Sequence, residues 1–164
     1  MTDRSPAPPA PRFFADVMLG RLARWLRVLG YDTAYETDID DPDLVERADA
    51  EGRVLLTRDR HLVTHLRPER SVLVQSDVPI EQLHEVVDAC DLGPPDELFT
   101  RCAVCNGALR PATEAERRDL VPDDARDLPG PIRRCPRCGR VYWLGSHTKR
   151  MRQTLAAAFP EWPL

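Results

Sequence analysis

The stretch Val54-Leu55-Leu56-Thr57-Arg58-Asp59 decides the fold. A short apolar run that follows Gly52 and ends in charged residues predicts a buried strand rather than a helix. Asp59 then comes just past the carboxyl end of that strand. In open parallel α/β sheets this edge is where ligands and catalytic groups collect. We therefore expect other segments of the chain to bring carboxylates to the same edge.

Three further strand–helix units accompany this strand, with strands predicted over 12–15, 33–37 and 71–75. Strand–helix units repeated four times predict a parallel sheet with right-handed crossovers and helices on both faces. At least one aspartate follows every strand, so several like charges are expected along one edge of the sheet. These aspartates are Asp16, Asp38, Asp40, Asp41, Asp43, Asp59 and Asp77.

Crowded carboxylates repel one another unless a cation compensates their charge or some of them are protonated. Oxygen ligands suit a hard ion such as Mg²⁺ or Mn²⁺, and such ions activate water in phosphodiester hydrolysis. Asp41-Pro42 is also a good helix start, with Asp41 predicted as the N-cap. The sequence leaves open which of Asp38, Asp40, Asp41 and Asp43 would bind metal, and it assigns no role to Asp77.

The first predicted helix has leucines at helical spacing from Leu19 to Leu29, and Gly30 ends it. Arg21, Arg24 and Arg27 are predicted to share the opposite, polar side. Arg24 is either a solvated helix residue or a contact for phosphate or for the acidic cluster.

After residue 95 the strand–helix units end and paired cysteines follow. Four of the five cysteines form two matching pairs, Cys102-x-x-Cys105 and Cys135-x-x-Cys138. Two such knuckles predict a closed structural Zn²⁺ site of four thiolates. Cys90 stands alone and fits a core position. The two knuckles are typical of a zinc ribbon, and the polar, Pro-containing segment 111–131 between them is predicted to be an irregular arm of that ribbon.

The segment 131–160 contains no acidic residue and is rich in arginine. A short strand over 140–143 and a helix with Ser146 as its N-cap are predicted there. Tyr142 and Trp143 either stack on bases or cover the zinc site, whereas the basic residues suit a phosphate backbone. The predicted nucleic-acid-binding residues are Arg24, Arg133, Arg137, Arg140, His147, Lys149 and Arg150.

No apolar run approaches the roughly 20 residues that a membrane-spanning helix needs. The Pro-rich and Ala-rich start, residues 1–11, has no apolar core and predicts a disordered tail rather than a secretory signal. We therefore expect a cytoplasmic protein with reduced cysteines.

Several motifs occur in order along residues 12–155. They are Phe14-Ala-Asp16, Leu19-Gly-Arg-Leu-Ala-Arg-Trp-Leu-Arg-Val-Leu-Gly30, Leu56-Thr-Arg-Asp59, and the two knuckles with Tyr142-Trp-Leu-Gly-Ser-His147. Together they resemble the Mut-seven C-terminal ribonuclease family, in which a PIN-like (PilT N-terminal-type) domain carries a C-terminal zinc ribbon.

The resemblance implies a PIN-like three-layer α/β/α parallel sheet with a C-terminal zinc ribbon, and a metal-dependent ribonuclease. It implies Asp16 and Asp59 as metal ligands, with a further acidic residue from the segment after the second strand. PIN nucleases often use a glutamate there, whereas this chain offers aspartates.

The expected organisation is a disordered tail over 1–11, a PIN-like nuclease domain over 12–95, and a zinc ribbon with a basic helix over 96–164. We expect hydrolysis of single-stranded RNA with structural Zn²⁺ and catalytic Mg²⁺ or Mn²⁺. The predicted catalytic residues are Asp16, Asp40, Asp43 and Asp59, and the predicted Mg²⁺ or Mn²⁺ ligands are Asp16, Asp38 and Asp59.

A non-catalytic RNA-binding adaptor is the alternative function, and a toxin-like PIN protein that acts on one defined RNA ranks last. The sequence leaves open whether the chain forms a homodimer, which RNA is the substrate, and whether the cut is endonucleolytic or exonucleolytic.

Overall fold

The computed structural model describes residues 9–164, so most of the predicted tail over 1–11 lies outside the described residues. A parallel sheet with the strand order β2-β1-β3-β4 forms the centre. Its elements are β1 (Phe13–Ala15), a 3₁₀ turn (Val17–Leu19), α1 (Gly20–Val28), β2 (Thr33–Tyr35), α2 (Asp41–Ala50), β3 (Val54–Thr57), α3 (Arg60–Leu66), β4 (Ser71–Leu73) and α4 (Pro79–Ala89).

Side chains of the central strands alternate between the two faces of the sheet, as strand geometry requires. Phe13 and Leu56 face a large core that also contains residues of α1 and α4. Phe14 and Leu55 are paired in register and face a smaller core with α2 and α3. The α/β fold with helices on both faces of a parallel sheet is therefore confirmed.

The second half forms a small antiparallel sheet and returns to the large core. Its elements are β5 (Arg110–Pro111), α5 (Glu114–Leu120), α6 (Asp123–Arg126), β6 (Arg133–Arg134), β7 (Val141–Tyr142) and α7 (Ser146–Ala158). Met151 and Leu155 of α7, together with Phe159 and Trp162, belong to the same buried cluster as the α1 leucines. Residues on both sides of position 95 build one core. The predicted division into two domains there stays a prediction.

Four local predictions are wrong. Arg27 is buried rather than on the polar side of α1, because its guanidinium finds carbonyl partners. The N-cap of α2 is Asp40, one residue before the predicted Asp41, and the N-cap of α7 is Gly145 rather than Ser146. The segment predicted as an irregular arm contains α5 and α6.

Within residues 9–164, no helix is long and apolar enough to cross a membrane.

Candidate active site and metal centre

Asp16 lies where β1 ends and is buried at the carboxyl edge of the sheet. Its backbone N–H donates to the carbonyl of Leu56 at 2.9 Å, which ties it to β3. Its Oδ1 accepts from the backbone N–H of Val17 at 2.5 Å, and its Oδ2 accepts from the hydroxyl of Thr57 at 2.8 Å. Both carboxylate oxygens therefore have fixed positions.

The hydroxyl of Thr57 links Asp16 to Asp59. Thr57 is fully buried at the end of β3 and also accepts from the backbone N–H of Asp59 at 3.0 Å. Asp59 in turn caps α3, since its Oδ1 accepts from the backbone N–H groups of His61 at 2.7 Å and Leu62 at 3.3 Å. Sequence reasoning assigned Thr57 no role beyond its strand, although its position two residues before Asp59 is a signal for one.

Asp41 is the aspartate of the second-strand cluster that lies close to this pair. Partial burial, and then the neighbouring carboxylates of Asp16 and Asp59, raise the pKa of Asp41. His61 acts on the same carboxyl in the opposite direction. Since these are through-space effects of charge, the first residue of α2 and the ends of β1 and β3 meet at one edge.

The other members of the cluster have different surroundings. Asp40 caps α2 by accepting from the backbone N–H of Asp43 at 3.0 Å, and its charge also acts on Asp41. Asp38, Asp40 and Asp43 line an open acidic depression together with Glu36. Metal binding and catalysis by Asp38, Asp40 and Asp43 therefore stay predictions.

A metal site can be built from three or more His, Cys, Asp or Glu side chains whose ligand atoms all lie within 4.8 Å of one another. Among the described residues, the four cysteines are the only such group. The carboxylates of Asp16, Asp41 and Asp59 are thus more widely spaced. Mg²⁺ commonly keeps several waters and takes one or two carboxylates, so wide spacing is compatible with such an ion. The oxygen-only donor set also suits Mn²⁺.

Asp77 is exposed beyond β4, and the carboxylates that organise this turn come from α4 instead. Glu85 accepts from the backbone N–H of Gln75 at 2.7 Å and of Ser76 at 2.8 Å. Glu81 accepts from the hydroxyl of Ser76 at 2.6 Å.

Gly20 allows a close approach beside Asp16. A Cβ at this position would lie 2.8 Å from the hydroxyl oxygen of Tyr35, which donates to the carbonyl of Val17 at 2.9 Å. The contact attaches the turn after Asp16 to β2, so any larger residue would push away the Tyr35 ring and disturb its hydrogen bond to Val17.

The four cysteines of the knuckles converge as predicted. The Sγ atoms of Cys102 and Cys138 are 3.6 Å apart, and those of Cys105 and Cys135 are 3.3 Å apart. Tetrahedral Zn²⁺ with Zn–S bonds of about 2.3 Å brings sulfurs to similar separations. The thiols form a metal-binding group whose chemistry suits Zn²⁺.

Tyr142 of β7 contacts the first knuckle of this cysteine group. Its hydroxyl lies 3.1 Å from the Sγ of Cys102 and accepts from the backbone N–H of Ala103 at 3.1 Å. Burial opposes ionisation of Cys102, but hydrogen bonds from Tyr142 and from backbone N–H groups lower its pKa to about 6. Burial raises the pKa of Cys105 to about 12. Zinc binds thiolates, so Cys102 is prepared for the metal.

The first knuckle is attached to the edge of the parallel sheet by two side chains. Arg27 donates to the carbonyls of Thr33 at 2.9 Å, Val104 at 2.9 Å and Ala103 at 3.2 Å. Asn106 accepts from the backbone N–H of Thr33 at 3.0 Å. Thr33 begins β2, the strand that leads toward Asp41, so the ribbon and the carboxylate edge share one strand.

Asn106 also contacts an ion pair at this junction. Its amide donates to the carboxylate of Asp32 at 2.7 Å, and Arg53 donates to the same carboxylate at 2.8 Å. Sequence reasoning missed this network, because no periodicity signals contacts between residues so far apart in the chain.

The predicted nucleic-acid-binding residues fall into three groups. Arg24 and His147 come together, with Nη2 and Nε2 3.0 Å apart, and both are exposed. Arg133 instead pairs with Glu97, and Arg137 donates to the carbonyl of Cys105 at 3.3 Å. The remaining members, which are all exposed, are Arg140, Lys149 and Arg150.

The predicted basic end is partly neutralised by an acid from outside it. Glu116 of α5 pairs with Arg110 at 2.7 Å and with Arg134 at 2.6 Å. The hydrogen bonds from Arg110 hold the pKa of Glu116 well below its usual range. This charge was missed because α5 was not predicted.

Residues 11–155 match the family model of the Mut7-C RNAse domain. The chain belongs to the Mut7-C RNAse domain family. The match covers both the carboxylate edge and the two knuckles, and it gives the chain a ribonuclease-type function. No curated protein and no solved structure matches the chain.

Proposed function

We propose that this Mut7-C protein is a divalent-ion-dependent ribonuclease that hydrolyses single-stranded RNA at the carboxylate edge of its sheet. Asp16, Asp41 and Asp59 are the residues that would hold the Mg²⁺ or Mn²⁺ ion. The observation that carries the proposal is the link from Asp16 to Asp59 through the Thr57 hydroxyl. Asp41 lies near enough that, after partial desolvation, both carboxylates raise its pKa. Three mutually repelling carboxylates favour a cation between them.

Each of these carboxylates has a separate structural support. Asp16 is fixed by Val17 and Thr57, whereas Asp59 is held through its cap of α3. Asp41 sits on the first turn of α2. Since none of the three forms an ion pair with Lys or Arg within residues 9–164, their negative charge remains available to a cation.

A divalent ion bound there would lower the pKa of a coordinated water and offset the charge that develops on the phosphate. The chain's own part is to place three carboxylates beside an RNA strand. The exposed Arg24, His147, Lys149 and Arg150 support a path for that strand, since such side chains contact the phosphate backbone. The zinc ribbon would support this surface structurally and would not take part in hydrolysis.

The test is cleavage of an end-labelled single-stranded RNA by protein that retains zinc but has been freed of Mg²⁺ and Mn²⁺. We expect cutting to return when either ion is added, and to fall about a hundredfold in Asp16→Asn, Asp41→Asn and Asp59→Asn. Asp43→Asn is the matched comparison for Asp41→Asn, because both aspartates lie on the first turn of α2. A larger loss in Asp43→Asn than in Asp41→Asn would contradict our choice of the third carboxylate.

The adaptor alternative predicts a different outcome of the same assay. If the wild type and the three variants all bind RNA equally and none cuts it with either ion, the protein is an RNA-binding module. A double-stranded RNA of the same sequence tests the substrate class, since we expect it to be cut more slowly than the single strand.

A further inference from the structure

A cavity of about 170 Å³ lies where the ribbon, α7 and the residues after α7 meet. Its walls include Phe99, Tyr142, Trp143, Leu144 and Leu164. An apolar cavity of roughly 150 Å³ holds one benzene-sized molecule. This cavity, here called the ribbon pocket, therefore has room for one small aromatic ring system.

The aromatic walls of the ribbon pocket are held from behind. The hydroxyl of Tyr142 is fixed between the Sγ of Cys102 and the backbone N–H of Ala103. Trp143 packs against the small apolar cluster of the ribbon. Both rings remain partly exposed. Fixed aromatic faces stack on nucleobases, and such stacking accepts any base because every base has a π face.

The rim of the ribbon pocket carries charges of both signs, with Asp96 and Glu97 beside Arg133 and Arg152. Arg152 of α7 lines the pocket and is exposed, and α7 contains no acidic residue. Among the ion pairs of residues 9–164, none involves Arg152. Arg133 also lines the pocket, but its charge is met by Glu97. The phosphate next to a bound base would thus find a free guanidinium.

Residues of α1 and α7 lie between the carboxylate edge and the ribbon pocket, and one side-chain contact joins the two helices. Asp16 precedes α1, and Arg24 lies eight positions further along the chain, about 12 Å away at helical rise. Arg24 contacts His147 on the first turn of α7. The next residue, Thr148, lines the pocket. A strand bound along these residues would pass two basic side chains before its base enters the pocket.

We propose that the ribbon pocket receives one unpaired nucleobase of the substrate RNA, several nucleotides away from the bond that is cut. This inference rests on the proposed ribonuclease function, and it supplies a reason for single-stranded RNA as the substrate. A base that enters the pocket must leave its helical stack and its pairing partner. The pocket would set the length of RNA that binds well rather than the chemistry of the cut.

The test is a walk of one abasic site along a short single-stranded RNA, with binding to the divalent-free, zinc-loaded protein measured by fluorescence anisotropy. We expect one position at which loss of the base weakens binding between about fivefold and about a hundredfold. In Trp143→Leu that position should lose its special effect, because the stacking face is gone. Zinc content and thermal unfolding confirm that the variant is folded.

A second measurement does not depend on any variant. The base at the sensitive position is replaced by the fluorescent base 2-aminopurine, whose emission is expected to be quenched on binding because it stacks on an aromatic ring. The same base placed at either end of the RNA serves as the comparison.

The outcomes separate this proposal from the ribonuclease proposal. If RNA is bound and cut but every abasic position behaves alike, or the 2-aminopurine is not quenched anywhere, the ribbon pocket does not hold a base and the nuclease stands. If the protein binds no RNA, both proposals fail.

Discussion

The hydroxyl of Thr57 makes hydrogen bonds to two aspartates of the carboxylate edge. It donates to the Oδ2 of Asp16 and accepts from the backbone N–H of Asp59. Few other side chains could do both from a fully buried strand position, since valine has the shape but no hydroxyl.

Thr57→Val is therefore expected to lower the free energy of unfolding by about 1–3 kcal/mol, because it leaves a buried oxygen without its partner. RNA cleavage should fall by roughly tenfold or more, as outer-shell changes at metal sites do. Urea unfolding and the cleavage assay measure the two effects. Thr64→Val on the exposed face of α3 is the control, and an equal loss there would show that the Thr57 hydroxyl has no special role.

Asp41 is expected to make the metal-free protein less stable at neutral pH. A raised carboxyl pKa means that the folded state holds the proton more tightly than the unfolded chain, so stability is lost as pH rises through that pKa. Asp41→Asn should then raise the melting temperature by about a degree or two without divalent ions, while cleavage is lost. Asp43→Asn should give no such rise. A lower melting temperature in Asp41→Asn would refute the repulsion among the three carboxylates.

At the scale of elements, the sequence predicted the parallel strands and their helices well and the helix boundaries less well. β3 was predicted with its observed bounds because four apolar or β-branched residues between Gly52 and Arg58 leave little choice. The start of α2 was misplaced by one residue, since either aspartate of Asp40-Asp41 can serve as a cap and only the backbone geometry selects one.

The missed helix α5 did have a signal in the sequence. Thr113 and Glu116 form a capping box, in which each side chain accepts from the backbone N–H of the other residue. The nearby prolines favoured a prediction of irregular structure. The sequence predicted Asp16 and Asp59 at the carboxyl edge of the sheet because each comes at or just past the end of a strand, and their metal binding stays a prediction. The sequence alone does not single out Asp41 as the third carboxylate of the proposed site, because that choice depends on the direction in which α2 begins.

Arg27 shows what helical periodicity cannot foresee. It was predicted to lie with Arg21 and Arg24 on the polar side, yet it is buried and satisfied by carbonyl oxygens of β2 and the first knuckle. Arg27→Met should reduce the free energy of unfolding by about 1–3 kcal/mol because buried carbonyls lose their donors. Arg24→Met, on the exposed face of the same helix, should change it by less than about 0.5 kcal/mol. Equal effects in urea unfolding would contradict the role of Arg27.

At the scale of the whole molecule, zinc is expected to support both halves of the chain. Cys138→Ser should reduce the bound zinc, measured by atomic absorption, and lower the melting temperature by several degrees. Cys90→Ser is the control, because Cys90 lies outside the four-cysteine group. Since Asn106 and Arg27 join the knuckle to β2, RNA cleavage should also fall in Cys138→Ser when Mg²⁺ is plentiful. Unchanged cleavage in a zinc-free variant would show that the two centres are independent.

The position of α7 in the large core also bears on how the protein is made. The residues of the sheet and α1 are synthesised first, whereas Leu155, Phe159 and Trp162, which fill the same core, are added only after the ribbon. When synthesis has reached residue 150, the apolar face that these side chains will cover is still exposed to water. Domains usually fold as units once their residues are available. Nascent chains of this protein must therefore wait, and products of interrupted synthesis would be exposed to aggregation and proteolysis.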